Sequence, residues 1–536
     1  MLDRYKQFLS SIEISPLGWL VGLSGILCVR FFLESFSSPS SSGIIASDAP
    51  TLLHYYLFFL VVALIMMFIL GWAVPSWKKV IPTMTLFALL ITIVPPIIDW
   101  LTTRGKGVSM AYLFDIPRDM MHSFFTFFGP FTAQGITLGI RIELALILIG
   151  IGYFVYAVCK QVLPALLTVV IIYIVAFVTV SLPGILFMLG HGSSVASTPM
   201  QYIGSVVLQS STVTNNIHGT LEYGSIQRMV EIGFDFLMSK IWFVVLSLLT
   251  IGWFIQNYRR ETLSILKNYR PERLSHFIGM VVIGMIVAYQ MSHFSMNWND
   301  WMSLVVLVIA YYFSWMSAVC VNDVYDIDID AISNKDRPIT GESISPSYMK
   351  TAGILFFIGA LIGGYLAGYY AFFCVLTFNA LYYIYSAPPL RLKIIPFLAT
   401  GIIGLCSVTA VIAGFFTFYP DKEIASIPYA LIMSVVVMFS LLPNVRDIKD
   451  IAGDTAAGIK TVPTLFGPLW GPRVTGILAG LGYVFTPLIT KNYFLLWGAI
   501  PALVLTYFIC VRKPYTERPV FIVYGLFALF VALVLL

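Results

Sequence analysis

Charged residues are scarce in this sequence. Of its 536 residues, 11% are Asp, Glu, Lys or Arg, whereas 59% are hydrophobic. A soluble globular domain carries about 25% charged residues, so this composition excludes an ordinary soluble protein. The formal net charge is only +5, and the sequence lacks basic runs interleaved with aromatic residues, which are typical of nucleic-acid-binding surfaces. The composition therefore predicts a polytopic membrane protein that binds no nucleic acid.

Cysteine is also scarce and follows no binding pattern. The six cysteines lie in or beside apolar runs and are widely spaced: Cys28, Cys159, Cys320, Cys374, Cys406 and Cys510. Neither a disulfide framework nor a zinc site has this spacing. We therefore interpret the cysteines as small apolar side chains that are buried between helices.

Long apolar runs dominate what remains. A helix that crosses the hydrocarbon core needs about 20 mostly apolar residues. Such runs predict about fifteen membrane-spanning helices, six in the first half of the chain and nine in the second. They lie near residues 15–34, 51–75, 79–100, 136–158, 161–190, 238–256, 275–292, 301–321, 351–369, 371–386, 395–418, 427–444, 471–489, 492–511 and 518–536. The charged segment NYRRETLSILKNYRPERLSH separates the two sets. We predict an all-α membrane protein with two domains, 1–260 and 261–536.

The loops between these runs differ in their content of Lys and Arg. If the N-terminus is cytoplasmic, the cytoplasmic segments hold nearly all the Lys and Arg of the second half, and its short outer connections hold only Lys422 and Lys491. This bias predicts a cytoplasmic N-terminus. We also expect the first apolar run to be a retained helix rather than a cleaved signal peptide, because Arg30 and Glu34 close it and no clear cleavage site follows.

Aspartates concentrate directly after one of the apolar runs. The segment NDVYDIDID, Asn322 to Asp330, holds four of them. At about 100° per residue along a helix, Asp323, Asp326 and Asp330 share one narrow face, and Asp328 points elsewhere. The pattern predicts a cluster of three carboxylates at a cytoplasmic helix end, with Asp328 in solvent.

A second acidic segment repeats this spacing. In RDIKDIAGDTAAGIKT, Asp447, Asp450 and Asp454 again stand three and four residues apart after a long apolar run. The helix count places them on the same predicted side of the membrane. Carboxylates at the C-terminal end of a helix oppose its dipole, so the ordinary polarity of helix ends does not explain two matched sets.

Two classes of function compete for these six carboxylates. Carboxylates within membranes often mark ion pathways, which indicates a cation-coupled transporter. Carboxylate oxygens also suit Mg²⁺, which commonly bridges a protein to substrate phosphates. Lys335 and Arg337 after the first motif, and Arg391 and Lys393 in YSAPPLRLK, favour the second class, because Lys and Arg neutralise phosphate oxygens. A diphosphate in a membrane implies a lipid tail, and an isoprenoid diphosphate is the natural candidate.

The three motifs in this order resemble the UbiA-type intramembrane prenyltransferases. They are NDxxDxxxD with RPI after it, YSxPPxRxK, and DxxDxxxD with GIKT. The resemblance covers about residues 265–536, where nine helices match the count of that family, and it does not reach residues 1–260. It implies Mg²⁺-dependent transfer of a polyprenyl group from an isoprenoid diphosphate to a lipophilic or aromatic acceptor, with release of diphosphate, in lipid biosynthesis.

The resemblance also implies roles for individual residues. The Mg²⁺ ligands would be Asp323, Asp326, Asp330, Asp447, Asp450 and Asp454. The diphosphate would be bound by Asn322, Lys335, Arg337, Ser386, Arg391 and Arg270, with Arg273 as an alternative to Arg270. The catalytic residues would be Asp326, Asp450, Tyr385 and Lys393. Aromatic faces can stabilise an allylic cation, and the candidates are Phe378, Tyr382 and Tyr383.

The acceptor is not determined by the motifs. Family members prenylate quinone, tocopherol, chlorophyll or haem precursors, a glycerol-phosphate ether lipid precursor, or a sugar phosphate. DIKDIAGD with GIKT is more similar to the tocopherol-type and archaeal ether-lipid branches. Two alternatives stay open: a UbiA-like terpene cyclase, which needs no acceptor, and the cation-coupled transporter.

Residues 1–260 show no motif that indicates chemistry. We expect this domain to serve a protein partner or an oligomer, to deliver a lipid, or to cover the cavity of the second domain. Its charged residues near predicted helix ends are expected to extend toward the membrane surface; they are Arg30, Glu34, Asp99, Arg141 and Glu143. His54, alone in an apolar run, is expected to be a packed histidine.

Overall fold

The computed structural model describes residues 2–37, 49–105, 110–130, 135–190, 196–212, 226–333, 336–419, 423–456, 458 and 460–535. Within these ranges every regular element is a helix, and none is a strand. Thirteen of the described helical segments are long and apolar enough to cross a membrane. The predicted class, an all-α polytopic membrane protein, is confirmed.

Two of the fifteen predicted spans form helices that fall outside those thirteen. Tyr369–Ser386 has 18 residues, and its five tyrosines lower its hydropathy. Arg518–Val534 is apolar but shorter than the others. The remaining predicted spans each overlap one of the thirteen.

The chain divides into two compact units. The first comprises Met1–Gln209 and Leu221–Gln256, and the second comprises Ser210–Thr220 and Asn257–Leu536. The predicted boundary at residue 260 lies near this division and stays a prediction.

The first unit consists of eleven described α-helices. They are α1 (Leu2–Ser11), α2 (Pro16–Ser37), α3 (Ala49–Ala73), α4 (Ile81–Ala88), α5 (Val94–Thr102), α6 (Pro117–Phe125), α7 (Leu138–Cys159), α8 (Val162–Val180), α9 (Leu182–Gly190), α10 (Pro199–Leu208) and α11 (Ile226–Asn257). Two short 3₁₀ helices, Pro75–Trp77 and Leu89–Ile93, interrupt them.

The charged residues of this unit do not extend toward the membrane surface, and that expectation was wrong. Arg30 is buried and lies 3.5 Å from Glu34 and 3.8 Å from Glu143. Arg141 donates four hydrogen bonds of 2.8 to 3.0 Å to backbone carbonyls of residues 127–130. Asp99 accepts a hydrogen bond of 2.8 Å from the backbone N–H of Gly139. Each of these charges therefore has a polar or charged partner inside the unit, which burial favours.

His54 is packed inside the first unit. Its Nδ1 lies 2.8 Å from Asp235 Oδ1, and its Nε2 lies 2.7 Å from the Tyr112 hydroxyl. That hydroxyl accepts a hydrogen bond of 2.9 Å from Trp242 Nε1. Because the Tyr112 hydroxyl accepts from Trp242, it can donate its own proton to His54 Nε2. The ring proton of His54 then lies on Nδ1 and is donated to Asp235.

The second unit contains twelve described α-helices. They are α12 (Arg259–Lys267), α13 (Pro271–Ser292), α14 (Trp298–Tyr325), α15 (Ile327–Ser333), α16 (Pro346–Ala367), α17 (Tyr369–Ser386), α18 (Leu398–Phe418), α19 (Tyr429–Leu441), α20 (Ile451–Ala456), α21 (Val462–Thr490), α22 (Leu496–Val511) and α23 (Arg518–Leu535). The 3₁₀ helices are Leu392–Ile394, Ile424–Ser426, Leu442–Ile448 and Tyr493–Leu495. Helix α21 is kinked at Gly467, whose φ is 70°.

Helices α13 and α18 touch through their backbones. A Cβ atom built at Gly284 would lie 2.1 Å from the carbonyl oxygen of Val411, and one built at Gly414 would lie 2.0 Å from that of Val281. Small residues allow membrane helices to approach this closely, and packing then replaces the hydrophobic driving force that is missing in lipid. This contact fixes α13, which carries His276 and Arg273, against the middle of the bundle.

We expect Gly414→Ala and Gly284→Ala to destabilise the chain by about 1–3 kcal/mol each, because the added methyl group has no space at the helix contact. Thermal unfolding of the purified protein in detergent would measure the change. Gly279→Ala is the matched control on α13, since a methyl group there meets no described atom within 4 Å. Equal unfolding temperatures for Gly279→Ala and Gly284→Ala would contradict the close packing.

Candidate active site

The first acidic cluster lies where α14 ends. Helix α14 stops at Tyr325 and α15 begins at Ile327, yet the helical hydrogen bonds continue across the break. The N–H of Asp326 donates to the carbonyl of Asn322 at 3.0 Å, and the N–H of Asp330 donates to that of Asp326 at 2.8 Å. The three aspartates therefore keep a common face: Asp323, Asp326 and Asp330 are buried. Asp328 is exposed.

Three cationic or amide groups converge on Asp323. Asn268 Nδ2 donates to Asp323 Oδ2 at 2.6 Å, and Arg270 Nη2 donates to Oδ1 at 2.9 Å. Arg337 Nη1 lies 3.3 Å from the same Oδ1 and also donates to Asp330. Burial lowers the pKa of the Arg270 guanidinium, and Asp323 opposes that shift. These charge-assisted bonds compensate two carboxylates that would otherwise be buried without partners.

Asp326 has its own pair of cations. Arg391 Nη2 donates to Asp326 Oδ1 at 2.9 Å, and Lys393 Nζ donates to the same oxygen. Burial lowers the pKa of Lys393, and Asp326 again opposes the shift. Ser386 Oγ approaches Asn322 Oδ1 at 3.5 Å. The structure thus brings these sequence-predicted residues together, while Lys335 lies outside the described residues.

The second acidic cluster follows α19. The chain continues from α19 into the 3₁₀ helix Leu442–Ile448 and then into α20. The N–H of Asp450 donates to the carbonyl of Asp447 at 3.2 Å, and that of Asp454 donates to the carbonyl of Asp450 at 2.8 Å. A segment of mixed 3₁₀ and α-helical structure therefore carries these three aspartates at the same sequence spacing as in the first cluster.

This second cluster differs from the first in its charge balance. In the described part of the chain, no Lys, Arg or His nitrogen lies within 4.0 Å of a carboxylate oxygen of Asp447, Asp450 or Asp454. Burial raises the pKa of Asp450. Burial and the neighbouring charges of Asp447 and Asp450 raise the pKa of Asp454 to about 6. The described residues of this cluster thus form no salt bridge, and the charges of Lys449 and Arg273 act on Asp450 from a greater distance.

Arg337 connects the two clusters. It bonds to Asp323 and Asp330, and its charge also acts on Asp450. The two acidic sets therefore lie close enough together for the charge of one guanidinium to act on both.

The donor chemistry of the clusters fits a hard divalent cation. Among the described residues, no group of three or more His, Cys, Asp or Glu side chains is already arranged to hold a metal ion. In the first cluster the carboxylate oxygens do not converge on one point because they form salt bridges with four basic side chains: Arg270, Arg337, Arg391 and Lys393. All six candidate ligands are carboxylates, the ligand type that Mg²⁺ prefers. Binding of Mg²⁺ would require some of the basic side chains to move away from these carboxylates.

A cavity lies beside the clusters within the second unit. The volume of the cavity, including the solvent-filled space at its open mouth, is about 530 Å³. Its walls are mostly aromatic and aliphatic, and they include Phe277, Trp315, Tyr382 and Phe439. A lining of this kind favours an apolar ligand.

Of the three candidate aromatic residues, only Tyr382 lines this cavity. Phe378 is buried behind it, with ring centroids 4.9 Å from Tyr382 and 4.9 Å from Phe277. Tyr383 is 47% exposed and does not line this cavity, and its role as a cation-stabilising residue stays a prediction. One residue along a helix changes the direction of a side chain by about 100°, which separates Tyr383 from Tyr382. Tyr385 lies 6.0 Å from Tyr382 between ring centroids.

Two site residues were missed in the sequence. Asn268 lies in the charged segment before α13, and its Nδ2 donates to Asp323 Oδ2 at 2.6 Å. Arg446 directly precedes Asp447 and lines the cavity together with Arg273. Its position directly before the second motif is the signal in the sequence that could have found it.

Comparison with known proteins gives this part of the chain a family. Residues 277–534 match the UbiA prenyltransferase family. A digeranylgeranylglyceryl phosphate synthase from Methanobrevibacter smithii is 28% identical over 181 residues, which are 33% of this chain and 61% of the relative. A chloroplastic chlorophyll synthase from Arabidopsis thaliana is 34% identical over 158 residues, which are 27% of this chain and 39% of the relative.

Solved structures match about half of the chain. A UbiA homolog from Archaeoglobus fulgidus bound to GPP and Mg²⁺ is 18% identical, with a TM-score of 0.39, and the match covers 51% of this chain and 99% of the homolog. The chain spans 61% and 39% of the lengths of the two enzymes named above. Residues 277–534 of this chain belong to the UbiA prenyltransferase family.

Proposed function

We propose that this protein is a Mg²⁺-dependent intramembrane prenyltransferase, which moves a polyprenyl group from an isoprenoid diphosphate to a lipophilic acceptor and releases diphosphate. The observation that carries the proposal is the pair of triple-aspartate clusters with Arg270, Arg337, Arg391 and Lys393 around the first of them. The names of the two enzymes reported above, a digeranylgeranylglyceryl phosphate synthase and a chlorophyll synthase, support the same class of reaction.

The diphosphate binds where cations already gather. The first cluster holds the four basic side chains together at its border with the apolar bundle, and a diphosphate there would draw them from the aspartates. Asn322 and Ser386 lie next to them and offer hydrogen bonds. Mg²⁺ held by the two carboxylate clusters would supply Lewis-acid stabilisation of the charge on the leaving diphosphate.

The reaction breaks one bond and forms another. The acceptor nucleophile forms a bond to C1 of the prenyl chain, and the C1–O bond breaks with its electron pair leaving on the diphosphate. The acceptor loses its proton to the released diphosphate or to water. Arg270, Arg337, Arg391 and Lys393 stabilise the charge that develops on the leaving group. The apolar cavity houses the chain, and the face of Tyr382 stabilises positive charge at C1.

We further infer that the site opens toward the cytoplasm. The bias of Lys and Arg toward one set of loops supports this orientation of both acidic motifs and of the N-terminus. The donor is then drawn from the cytoplasmic side, and the apolar tail enters the bundle. Membrane lipids surround the helices, and the first unit is available for a protein partner or a second copy.

A direct assay tests the reaction class. Purified full-length protein with radiolabelled geranylgeranyl or farnesyl diphosphate should release diphosphate in the presence of Mg²⁺ and an acceptor, and chelation with EDTA should stop this release until Mg²⁺ is restored. Release without any acceptor would indicate a terpene cyclase instead. No Mg²⁺-dependent consumption of any prenyl diphosphate, together with cation flux in liposomes, would favour the transporter.

Aspartate substitutions test the site. We expect Asp326→Asn and Asp450→Asn each to lower turnover by at least about 100-fold, because each removes charge that acts on the transition state. Asp328→Asn, on the exposed side of the same segment, should change turnover by less than about threefold. Gel filtration of each variant checks that the fold is kept. An effect of Asp328→Asn as large as that of Asp326→Asn would refute the common-face geometry.

A further inference from the structure

An asparagine outside both acidic motifs binds one oxygen of Asp323. Asn268 directly follows α12, and its backbone N–H donates to the carbonyl oxygen of Ile265 at 3.0 Å. It lies in the charged segment between the two halves of the chain, before residues 277–534, which match the family. Neither acidic motif nor the matched range therefore includes Asn268.

The two oxygens of Asp323 have different kinds of partner. Oδ1 accepts from Arg270 Nη2 at 2.9 Å and lies 3.3 Å from Arg337 Nη1. Oδ2 accepts from Asn268 Nδ2 at 2.6 Å. A carboxylate can only accept hydrogen bonds, so the amide must present its NH₂ group to Asp323. Two cations thus hold one oxygen, and a neutral donor holds the other.

These partners respond differently to an anionic substrate. A diphosphate attracts guanidinium groups strongly, because hydrogen bonds between charged groups are about twice as strong as those between neutral groups. A diphosphate therefore competes with Asp323 Oδ1 for Arg270 and Arg337. The amide of Asn268 carries no net charge, so it gains much less by leaving Oδ2 for a phosphate oxygen. Binding of the diphosphate thus releases Oδ1 and leaves Oδ2 held.

The position of Asn268 is fixed by a bond in which neither arginine takes part. The carbonyl oxygen of the next residue, Tyr269, accepts from Trp315 Nε1 at 2.6 Å. Trp315 and Asp323 both lie on α14, so the helix that carries the carboxylate also holds the backbone beside the amide. The side chain of Asp323 is 1% exposed, which leaves little access for a water molecule to replace the amide.

We propose that Asn268 is a positioning residue for Asp323 as a metal ligand. This inference rests on the proposed function, in which Asp323 binds Mg²⁺. Asn268 keeps Oδ2 in place while the diphosphate draws Arg270 and Arg337 away, so Oδ1 becomes available to the cation without rotation of the carboxylate. Hydrogen bonds that orient a metal ligand raise metal affinity by about 10- to 100-fold.

Metal binding tests this role without turnover. The full chain in detergent is saturated with a thiolodiphosphate analogue of the prenyl donor, whose C1–S bond resists cleavage, and bound Mn²⁺ is measured by electron paramagnetic resonance. Asn268→Leu keeps the size of the side chain but removes the N–H donor, and it should raise the Kd for Mn²⁺ at least about tenfold. Asn268→Gln keeps an amide and should recover part of the affinity. An unchanged Kd in Asn268→Leu would overturn the inference.

Lys267→Gln is the matched control. Lys267 is exposed and directly precedes Asn268 at the same end of α12. This variant should bind Mn²⁺ with a Kd close to that of the unmodified protein. A rise in the Kd for Lys267→Gln equal to that for Asn268→Leu would show that any disturbance at the end of α12 weakens metal binding, and it would refute a specific role for the amide.

Kinetics and unfolding separate positioning from a purely structural role. In Asn268→Leu the KM for Mg²⁺ should rise at least about tenfold, while kcat at saturating Mg²⁺ should stay close to that of the unmodified protein. Thermal unfolding of the metal-free variant should differ little from that of the unmodified protein. A lower unfolding temperature together with an unchanged KM for Mg²⁺ would make Asn268 a structural residue only and overturn the inference.

The two proposals fail in different ways. If the unmodified protein consumes prenyl diphosphate with Mg²⁺ but Asn268→Leu changes neither the Kd for Mn²⁺ nor the KM for Mg²⁺, the prenyltransferase survives and the role of Asn268 is refuted. If Mn²⁺ binding depends on Asn268 but no prenyl diphosphate is consumed with any acceptor, the positioning of Asp323 is supported and the proposed reaction is wrong.

Discussion

The ion pairs at the end of α14 are the interaction on which the candidate site depends. Three carboxylates are buried at the border of an apolar bundle, and such charges persist only where cations accompany them. Asp323 and Asp330 share Arg337, and Asp326 holds Arg391 and Lys393. These bonds tie three parts of the chain together, since Arg337 follows α15 and the other two cations follow α17.

The packing of the bundle makes those pairs possible. Helix α13 brings Arg270 to Asp323 from its N-terminal end, and the backbone contact of α13 with α18 fixes its position. A helix held by van der Waals packing in lipid has few alternative positions, because any shift opens a gap or creates a clash. The precision of the site therefore originates in glycine contacts that lie away from it.

The sequence predicts much of this arrangement and misses a definite part. The common face of the aspartates was predictable because helical periodicity survives the break at Asp326. The direction of Tyr383 was not predictable, because a motif gives no rotation for α17 within the bundle. The burial of Arg30 and Arg141 was not predictable either, since hydropathy places a charge at a helix end without showing which chain segments cover that end. Asn268 was missed because an amide in a charged linker carries no pattern of its own.

The contrast between the two clusters has a consequence for ligand binding. The cations of the first cluster are also the partners that a diphosphate requires, so a diphosphate competes with Asp323, Asp326 and Asp330 for the same side chains. Taking those side chains away would leave three buried carboxylates unpaired, whereas the described residues of the second cluster, which are half-buried, have no salt bridge to lose. Under the proposed function, a divalent cation that replaces the lost positive charge therefore strengthens diphosphate binding, and by linkage the diphosphate strengthens cation binding by the same factor. The charge balance of the protein alone thus favours the joint entry of donor and cation over the entry of either one.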